Sequence, residues 1–198
     1  MKKLFIPFLF IFMAVAILNG GSNSSEKSVE YTAKGDMYLK IGKPKKALKY
    51  YNKALAANPH NSEAYLSRGS LAYFLGDYDA AIADFNIVLE NDKYVPELYS
   101  ALGSAYAAKQ DYKSARENLL KSLELYPYNV AALVSLGGVY YSTGNYNAAI
   151  EQYTKALNIR PVAQVYYMRA MCYEKLDMQK EAKADMDMVK SMEAMEKI

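Results

Sequence analysis

Apolar and small residues recur at helical spacing along most of the chain, and the helical stretches come in pairs. The first stretch of a pair has large residues on either side of a glycine, as in Tyr31, Gly35 and Tyr38. The second has an alanine followed by a large residue, as in Ala47 and Tyr51. Residues that recur every three or four positions line one face of an α-helix. The pattern therefore predicts paired α-helices joined by short turns.

The pair of helices repeats along the chain at a fixed interval. Four glycines lie 34 residues apart, and four alanines keep the same spacing: Gly35, Gly69, Gly103 and Gly137, then Ala47, Ala81, Ala115 and Ala149. A fifth copy has Ala170 and Ala182 at these positions, each 33 residues further on. One pair cannot bury its own apolar face, so neighbouring pairs must stack. We expect the glycine to meet the alanine where the two helices of a pair cross.

The fourth copy carries a recognisable motif. It reads Leu133-x-x-Leu136-Gly137-x-x-Tyr140, then Ala149-x-x-x-Tyr153, Ala156 and Pro161. This resembles the tetratricopeptide repeat (TPR) signature W-x2-L-G-x2-Y…A-x3-F…P, with Leu133 replacing the Trp and Tyr153 the Phe. The resemblance covers about residues 28–196. It implies an all-α fold, a right-handed α-solenoid of about five helix-turn-helix TPR units.

The repeat phase and the composition divide the chain into segments. We expect five TPR units at residues 28–61, 62–95, 96–129, 130–162 and 163–198, the last including a C-terminal cap. Residues 23–27 are small and polar, which predicts a flexible linker.

Residues 1–22 have the layout of a secretory signal peptide. Two lysines at the start are followed by a run of 15 mostly apolar residues, Leu4 to Leu18, and then by small polar residues. The run is short for a membrane span, which needs about 20 residues. We therefore expect a cleaved signal and an exported protein, periplasmic or secreted. The alternative is an uncleaved signal anchor that tethers the protein to the inner membrane.

Composition and charge argue against several classes of function. The formal net charge of +3 is small, so we expect no nucleic-acid partner. His60 and Cys172 are the only histidine and the only cysteine. Zinc sites and Ser-His or Cys-His catalysis need further partners. The sequence therefore predicts a protein that is not an enzyme and has no catalytic residue, metal site or cofactor.

The TPR resemblance implies a concave groove, lined by the first helix of each repeat, that binds a peptide or helix of a protein partner. The family's groove positions fall on these candidates: Ser67, Ser70, Tyr73, Phe74, Ser100, Ser104, Ser135, Tyr141 and Tyr167. Such a surface suits backbone hydrogen bonds and apolar side chains of a partner. The alternative is that the serines only allow close packing of the helices and that Tyr73 and Tyr141 pack on their neighbours.

Two repeats carry an arginine at a position where other repeats have leucine. These are Arg68 and Arg169, and the same repeats have an aspartate sixteen residues later, Asp84 and Asp185. Because the residues occur together, we expect the structural ion pairs Arg68–Asp84 and Arg169–Asp185.

Uneven charge and a methionine-rich end suggest a second function. Repeat one has a formal charge of +5 and repeat two −4, which would allow head-to-tail self-association. Repeat five has exposed-face lysines and these methionines: Met168, Met171, Met178, Met186, Met188, Met192 and Met195. The alternative to groove binding is therefore a membrane-tethered structural or assembly subunit that acts through its basic first repeat and its Met-rich end.

Overall fold

The computed structural model describes the backbone of residues 9–195 and the side chains of residues 23–195. Within these residues the chain forms ten α-helices and no strand. The helices are α1 Leu9–Lys40, α2 Pro44–Ala57, α3 Ser62–Phe74, α4 Tyr78–Asn91, α5 Pro96–Ala108, α6 Tyr112–Leu125, α7 Val130–Ser142, α8 Tyr146–Ile159, α9 Ala163–Lys175 and α10 Gln179–Met195. The all-α fold class predicted from the sequence is confirmed.

The helices group into two compact units, Met1–Gly76 and Asp77–Ile198. In the first unit α1 packs on α2, and both contact α3. In the second unit each helix from α4 to α10 contacts a neighbour, and the first helices α5, α7 and α9 lie side by side. This is the stacking of helix pairs that the TPR resemblance implies. Helices α3, α5, α7 and α9 begin at the first residues of the predicted repeats two to five.

Side-chain caps and prolines determine where several of the helices begin. Asn61, Asp111 and Asn129 cap α3, α6 and α7, because their side chains accept hydrogen bonds from backbone N–H groups three residues on. Pro44 and Pro96 are the first residues of α2 and α5, where a missing N–H has no consequence.

The turn inside each helix pair needs a left-handed backbone residue. Gly42, Gly76 and Gly144 take this role with φ of 69°, 84° and 76°. The equivalent positions in repeats three and five are Gln110 and Asp177, with φ of 64° and 57°. A residue with a Cβ is strained in this conformation. The turns of repeats three and five are therefore formed at a cost that glycine would avoid.

The glycine of the first helix makes room for a large side chain of the second helix. A Cβ on Gly35 would lie 2.3 Å from Tyr51 Cε1, and a Cβ on Gly137 would lie 2.5 Å from Tyr153 Cε1. In repeat three the neighbour is Leu119, whose Cγ would be 2.5 Å from a Cβ on Gly103. The Ala115 carbonyl oxygen would also lie 3.1 Å from a Cβ on Gly103, so the expected approach of glycine to alanine is found in repeat three, but the nearest neighbour in all three repeats is the large side chain. The ring or leucine one turn beyond the alanine fills the crossing, because it projects back over the glycine.

Residues 23–27 differ from the flexible linker that their composition predicts. They lie within α1, which runs unbroken from Leu9 to Lys40. Ser28, directly after them, is buried and its hydroxyl donates to the Ala54 carbonyl at 2.8 Å. Because Ser28 fixes the helix to α2, extending α1 through the preceding residues requires no new nucleation. The cleavable signal predicted for residues 1–22 stays a prediction, and residues 1–8 lie outside the described part.

None of the described helices has both the length and the apolar character needed to cross a membrane.

Candidate functional site

The predicted groove residues of the first unit lie along α3. Ser67 is half-buried, and it hydrogen-bonds to the Tyr51 hydroxyl, which itself donates to Asp36 Oδ1 at 2.7 Å. Burial and this contact with the Asp36 carboxylate raise the pKa of Tyr51. Ser70 and Tyr73 are exposed. Phe74 is 79% exposed at the end of the helix.

The serines of the second unit join helices α5 and α7. Ser104 Oγ donates to the Ser100 carbonyl at 3.0 Å and lies 2.9 Å from Ser135 Oγ. Because the Ser104 hydroxyl has a single proton and donates it to the Ser100 carbonyl oxygen, the Ser135 hydroxyl is the donor to Ser104 Oγ. Ser100 itself is only 4% exposed. Its side chain is therefore not open to a partner, whereas Ser104 and Ser135 are half-buried and their place in a partner-binding groove stays a prediction.

The predicted tyrosines of the second unit differ from each other. Tyr141 is half-buried and packs edge-to-face on Tyr146, with ring centroids 5.5 Å apart. Tyr167 on α9 is exposed. Of the two rings, Tyr167 is the one open to contact with another molecule.

An open pocket of about 450 Å³ lies where the first turns of α5, α7 and α9 come together. It is lined by Glu97, Tyr126, Tyr128, Asn129, Val130, Ala131, Val134, Arg160, Val162 and Val165. The wall is aliphatic, while Glu97 and Arg160 supply the charges. Neither has an ion pair among the described residues. The pocket is thus an apolar recess with one charge of each sign.

Two tyrosines from the loop between α6 and α7 form part of the pocket wall. Tyr126 and Tyr128 meet edge-to-face at 6.1 Å, and Tyr128 is 64% exposed. The groove positions expected from the sequence lie only on the first helices of the repeats, so Tyr126 and Tyr128 are not among them. One feature of the sequence indicates them: two tyrosines lie in the segment between two helices, where the repeat pattern has no core position for an aromatic side chain.

The predicted Arg169–Asp185 pair is present in repeat five. Arg169 Nε and Nη2 donate to the two Asp185 oxygens at 2.8 and 2.7 Å. The side chains are 16% and 6% exposed. Arg169 also donates to Thr154 Oγ1 at 2.9 Å, and its guanidinium carbon lies 5.6 Å from the Tyr166 ring centre and 5.8 Å from that of Tyr173. The hydrogen bond to Asp185 raises the pKa of Arg169. The pair thus ties α9 to both α10 and α8.

Arg68 has a similar setting in the first unit. It donates to Asn52 Oδ1 at 2.7 Å and lies over the Tyr65 ring. Asp84 belongs to the second unit. The Arg68–Asp84 pair therefore stays a prediction.

Cys172 is a packing residue of α9. It is fully buried, and its thiol donates to the Met168 carbonyl at 3.3 Å. Burial raises its pKa to about 11. A thiol with a raised pKa is a poor nucleophile at neutral pH. Among the residues described, no group of three His, Cys, Asp or Glu side chains is placed to hold a metal ion.

Comparison with protein families identifies the repeats. Models of the tetratricopeptide repeat match residues 32–96, 94–161 and 163–197. These matches together span most of the chain, so the chain belongs to the tetratricopeptide repeat family. A comparison with curated proteins found no match.

Several solved structures share the fold. A crystal structure of MamA is similar with a TM-score of 0.73 and 28% identity, over 82% of this chain and 95% of that chain. MamA from Desulfovibrio magneticus RS-1 gives 0.76 at 22% identity, over 85% and 96%. YrrB, described as a TPR protein with an unusual peptide-binding site, gives 0.65 at 20% identity over 90% of both chains. At these last two identities the likeness shows the fold alone.

Proposed function

We propose that the chain is a non-enzymatic protein-interaction module of the cell envelope. It binds a peptide or helical segment of a partner protein along α5, α7 and α9. The observation that carries this proposal is the apolar pocket at the first turns of these helices. Its volume of about 450 Å³ lies in the range of about 300–1,000 Å³ that is usual for ligand sites.

The pocket chemistry specifies what the partner segment presents. Val130, Val134 and Val165 favour a bulky aliphatic or aromatic side chain. Tyr128 offers a large rigid surface of the kind that dominates binding energy at interfaces. Glu97 and Arg160 at the same pocket favour polar or charged residues on either side of that anchor.

A selection experiment tests the pocket. Random peptides displayed on phage are selected on the wild-type protein and then tested against Ala131→Arg, which places a long charged side chain at the pocket. The matched control is Ala83→Arg, an exposed α4 position outside the pocket lining. We expect enriched peptides to carry a bulky apolar residue and to lose binding only to Ala131→Arg. Peptides that bind both variants equally would contradict the proposal.

Placement in the cell envelope is supported by the amino-acid sequence of residues 1–22. The basic start and the apolar run are features of export signals. Mass spectrometry of the N terminus in the fractionated cell tests this. A mature N terminus near residue 21 in the periplasm or medium supports export by a cleaved signal. A protein that remains in the cytoplasm would contradict the proposal.

The second candidate function is a membrane-tethered assembly subunit. The observation that favours it is the unbroken course of α1, which joins the apolar start to repeat one without a flexible segment. Retention of Met1 in the membrane fraction is the result expected of a tether. Release of a shortened protein from washed membranes would rule the tether out.

A further inference from the structure

Helix α2 is cationic along its outer surface and has no acidic residue. Its four lysines, Lys45, Lys46, Lys49 and Lys53, are all exposed. None of them has an ion-pair partner in the part of the chain that the structure describes. Neighbouring charges of one sign that are not neutralised attract a partner of opposite sign.

Three tyrosines lie beside these lysines. Tyr38 stacks on Tyr50 with ring centroids 5.2 Å apart, and Tyr31 lies 6.2 Å from Tyr50. Lys46 Nζ is 5.4 Å from the Tyr38 ring centre, and Lys53 Nζ is 5.2 Å from that of Tyr50. We call these five residues the tyrosine–lysine face. It combines ammonium groups with half-buried rings, which are apolar in the body and polar at the tip.

Two exposed aliphatic side chains lie near these residues in the sequence. Ile41 follows Tyr38 by three positions, at the turn after α1, and Leu48 lies between Lys46 and Lys49 in α2. Both are exposed, and neither is part of a buried cluster of this unit. The tyrosine–lysine face thus combines positive charge with amphipathic rings, and exposed apolar groups lie on the same unit. This is the combination that membrane-interfacial segments use.

We propose that the tyrosine–lysine face, with Lys45 and Lys49, is a docking surface for an anionic phospholipid bilayer. The bilayer is favoured over other anionic partners because α1 also leads back to the apolar run at the start of the chain. The inference deepens the second candidate function, because it rests on retention of that apolar run, and it holds whether or not the pocket takes a peptide.

The proposal fixes how the first helices lie on the membrane. Helix α1 has 32 residues and is therefore roughly 48 Å long. Surface charges act over only about 8 Å at physiological salt. The α2 lysines reach the headgroups only if α1 and α2 lie along the bilayer surface. In that orientation the lysines and the apolar groups contact the bilayer at the same time.

Vesicle flotation of the full chain tests the proposal. The vesicles are made of phosphatidylcholine alone or of phosphatidylcholine and phosphatidylglycerol in equal parts. The variant changes Lys45, Lys46, Lys49 and Lys53 to Gln, which preserves helix propensity. The control changes four exposed lysines of the second unit, Lys113, Lys175, Lys180 and Lys183, to Gln. Both variants lose four charges, so they share one net charge, and circular dichroism checks that each is folded.

We expect the α2 variant to bind anionic vesicles more than about tenfold less tightly, since each lysine near an anionic surface strengthens binding several-fold. The control should change by less than about twofold, and all three proteins should bind neutral vesicles equally. Equal losses in both variants would show a net-charge effect and overturn the proposal. Lysine-dependent self-association in solution, without binding to anionic vesicles, would identify a second copy as the partner and also overturn it.

Discussion

Arg169 and Asp185 form a two-point ion pair that joins the helices of the last repeat. The pair is mostly buried, and Thr154 Oγ1 accepts a further hydrogen bond from Arg169. A buried pair of this kind contributes little net stability, but removing one partner leaves the other charge buried alone.

The first prediction concerns the cost of removing one partner of this ion pair. Asp185→Ala should lower the free energy of unfolding by about 3 kcal/mol, because the Arg169 guanidinium loses the carboxylate that satisfies it. The control is Asp187→Ala, whose carboxylate is exposed and lies 3.6 Å from Lys190; its effect should be below about 1 kcal/mol. Urea unfolding of both variants is the measurement. Equal effects would show that the Arg169 pair is no more than a surface contact.

Two adjacent glycines of α7 give the second prediction. A Cβ on Gly137 would lie 2.5 Å from the Tyr153 ring, whereas one on Gly138 would lie 3.9 Å from the Tyr153 hydroxyl oxygen. Gly137→Ala should destabilise the protein by about 1–3 kcal/mol through overpacking. Gly138→Ala should stabilise it by up to about 1 kcal/mol through helix propensity.

Thermal unfolding of the two variants shows directly whether each change raises or lowers the stability, since both add one methyl group, at adjacent residues. Gly103→Leu is the harsher case, because Leu119 is fully buried and cannot move aside. It too should lose about 1–3 kcal/mol or more. Unchanged melting temperatures for Gly137→Ala and Gly103→Leu would mean that the helix crossing is not where the structure places it.

The left-handed turn residues give the third prediction. Gln110→Gly should raise the free energy of unfolding by about 0.5–1 kcal/mol, because glycine removes the Cβ strain at φ of 64°. Lys109→Gly, at the preceding residue with φ of −79°, should instead lower stability through the greater freedom of the unfolded chain and the loss of the Lys109–Asp79 ion pair. Chemical denaturation compares the two. A loss of stability in both variants would contradict the strained turn.

Cys172 gives a prediction on pH dependence. Its pKa in the folded protein is raised to about 11 from an ordinary value of 9.0. Between these values the unfolded thiol loses its proton while the folded thiol keeps it, so stability falls as pH rises from 9 to 11. In Cys172→Ala this contribution is absent. Between pH 9 and 11 the free energy of unfolding of the wild type should therefore fall relative to that of Cys172→Ala. A difference that stays constant over this range would show that the thiol ionises equally in the folded and unfolded states.

Much of the fold can be predicted from the sequence because the same residue pattern occurs in each repeat. The 34-residue glycine interval gives the phase of the helices, and the joint occurrence of Arg169 and Asp185 gives their contact. The role of Ser100 does not follow, because one sequence position serves either a groove surface or a helix contact, depending on how closely α5 and α7 approach.

The pocket also cannot be predicted from the sequence. It brings together α5, a loop after α6, α7 and the residues before α9. Those segments are distant along the chain, and their distance in space depends on the stacking geometry of the repeats. Periodicity assigns Val134 and Val165 to helices, but it does not say that Tyr128 from the connecting loop faces them.

Site-specific photo-crosslinking in the cell tests the partner-binding claim most directly. The photoreactive residue replaces Tyr128 at the pocket in one protein and Tyr94, which is 82% exposed and outside the pocket, in another. We predict a discrete crosslinked protein from position 128 alone, which disappears when Ala131→Arg is added. A product that forms equally from position 94, or that persists with Ala131→Arg, would contradict binding in the pocket.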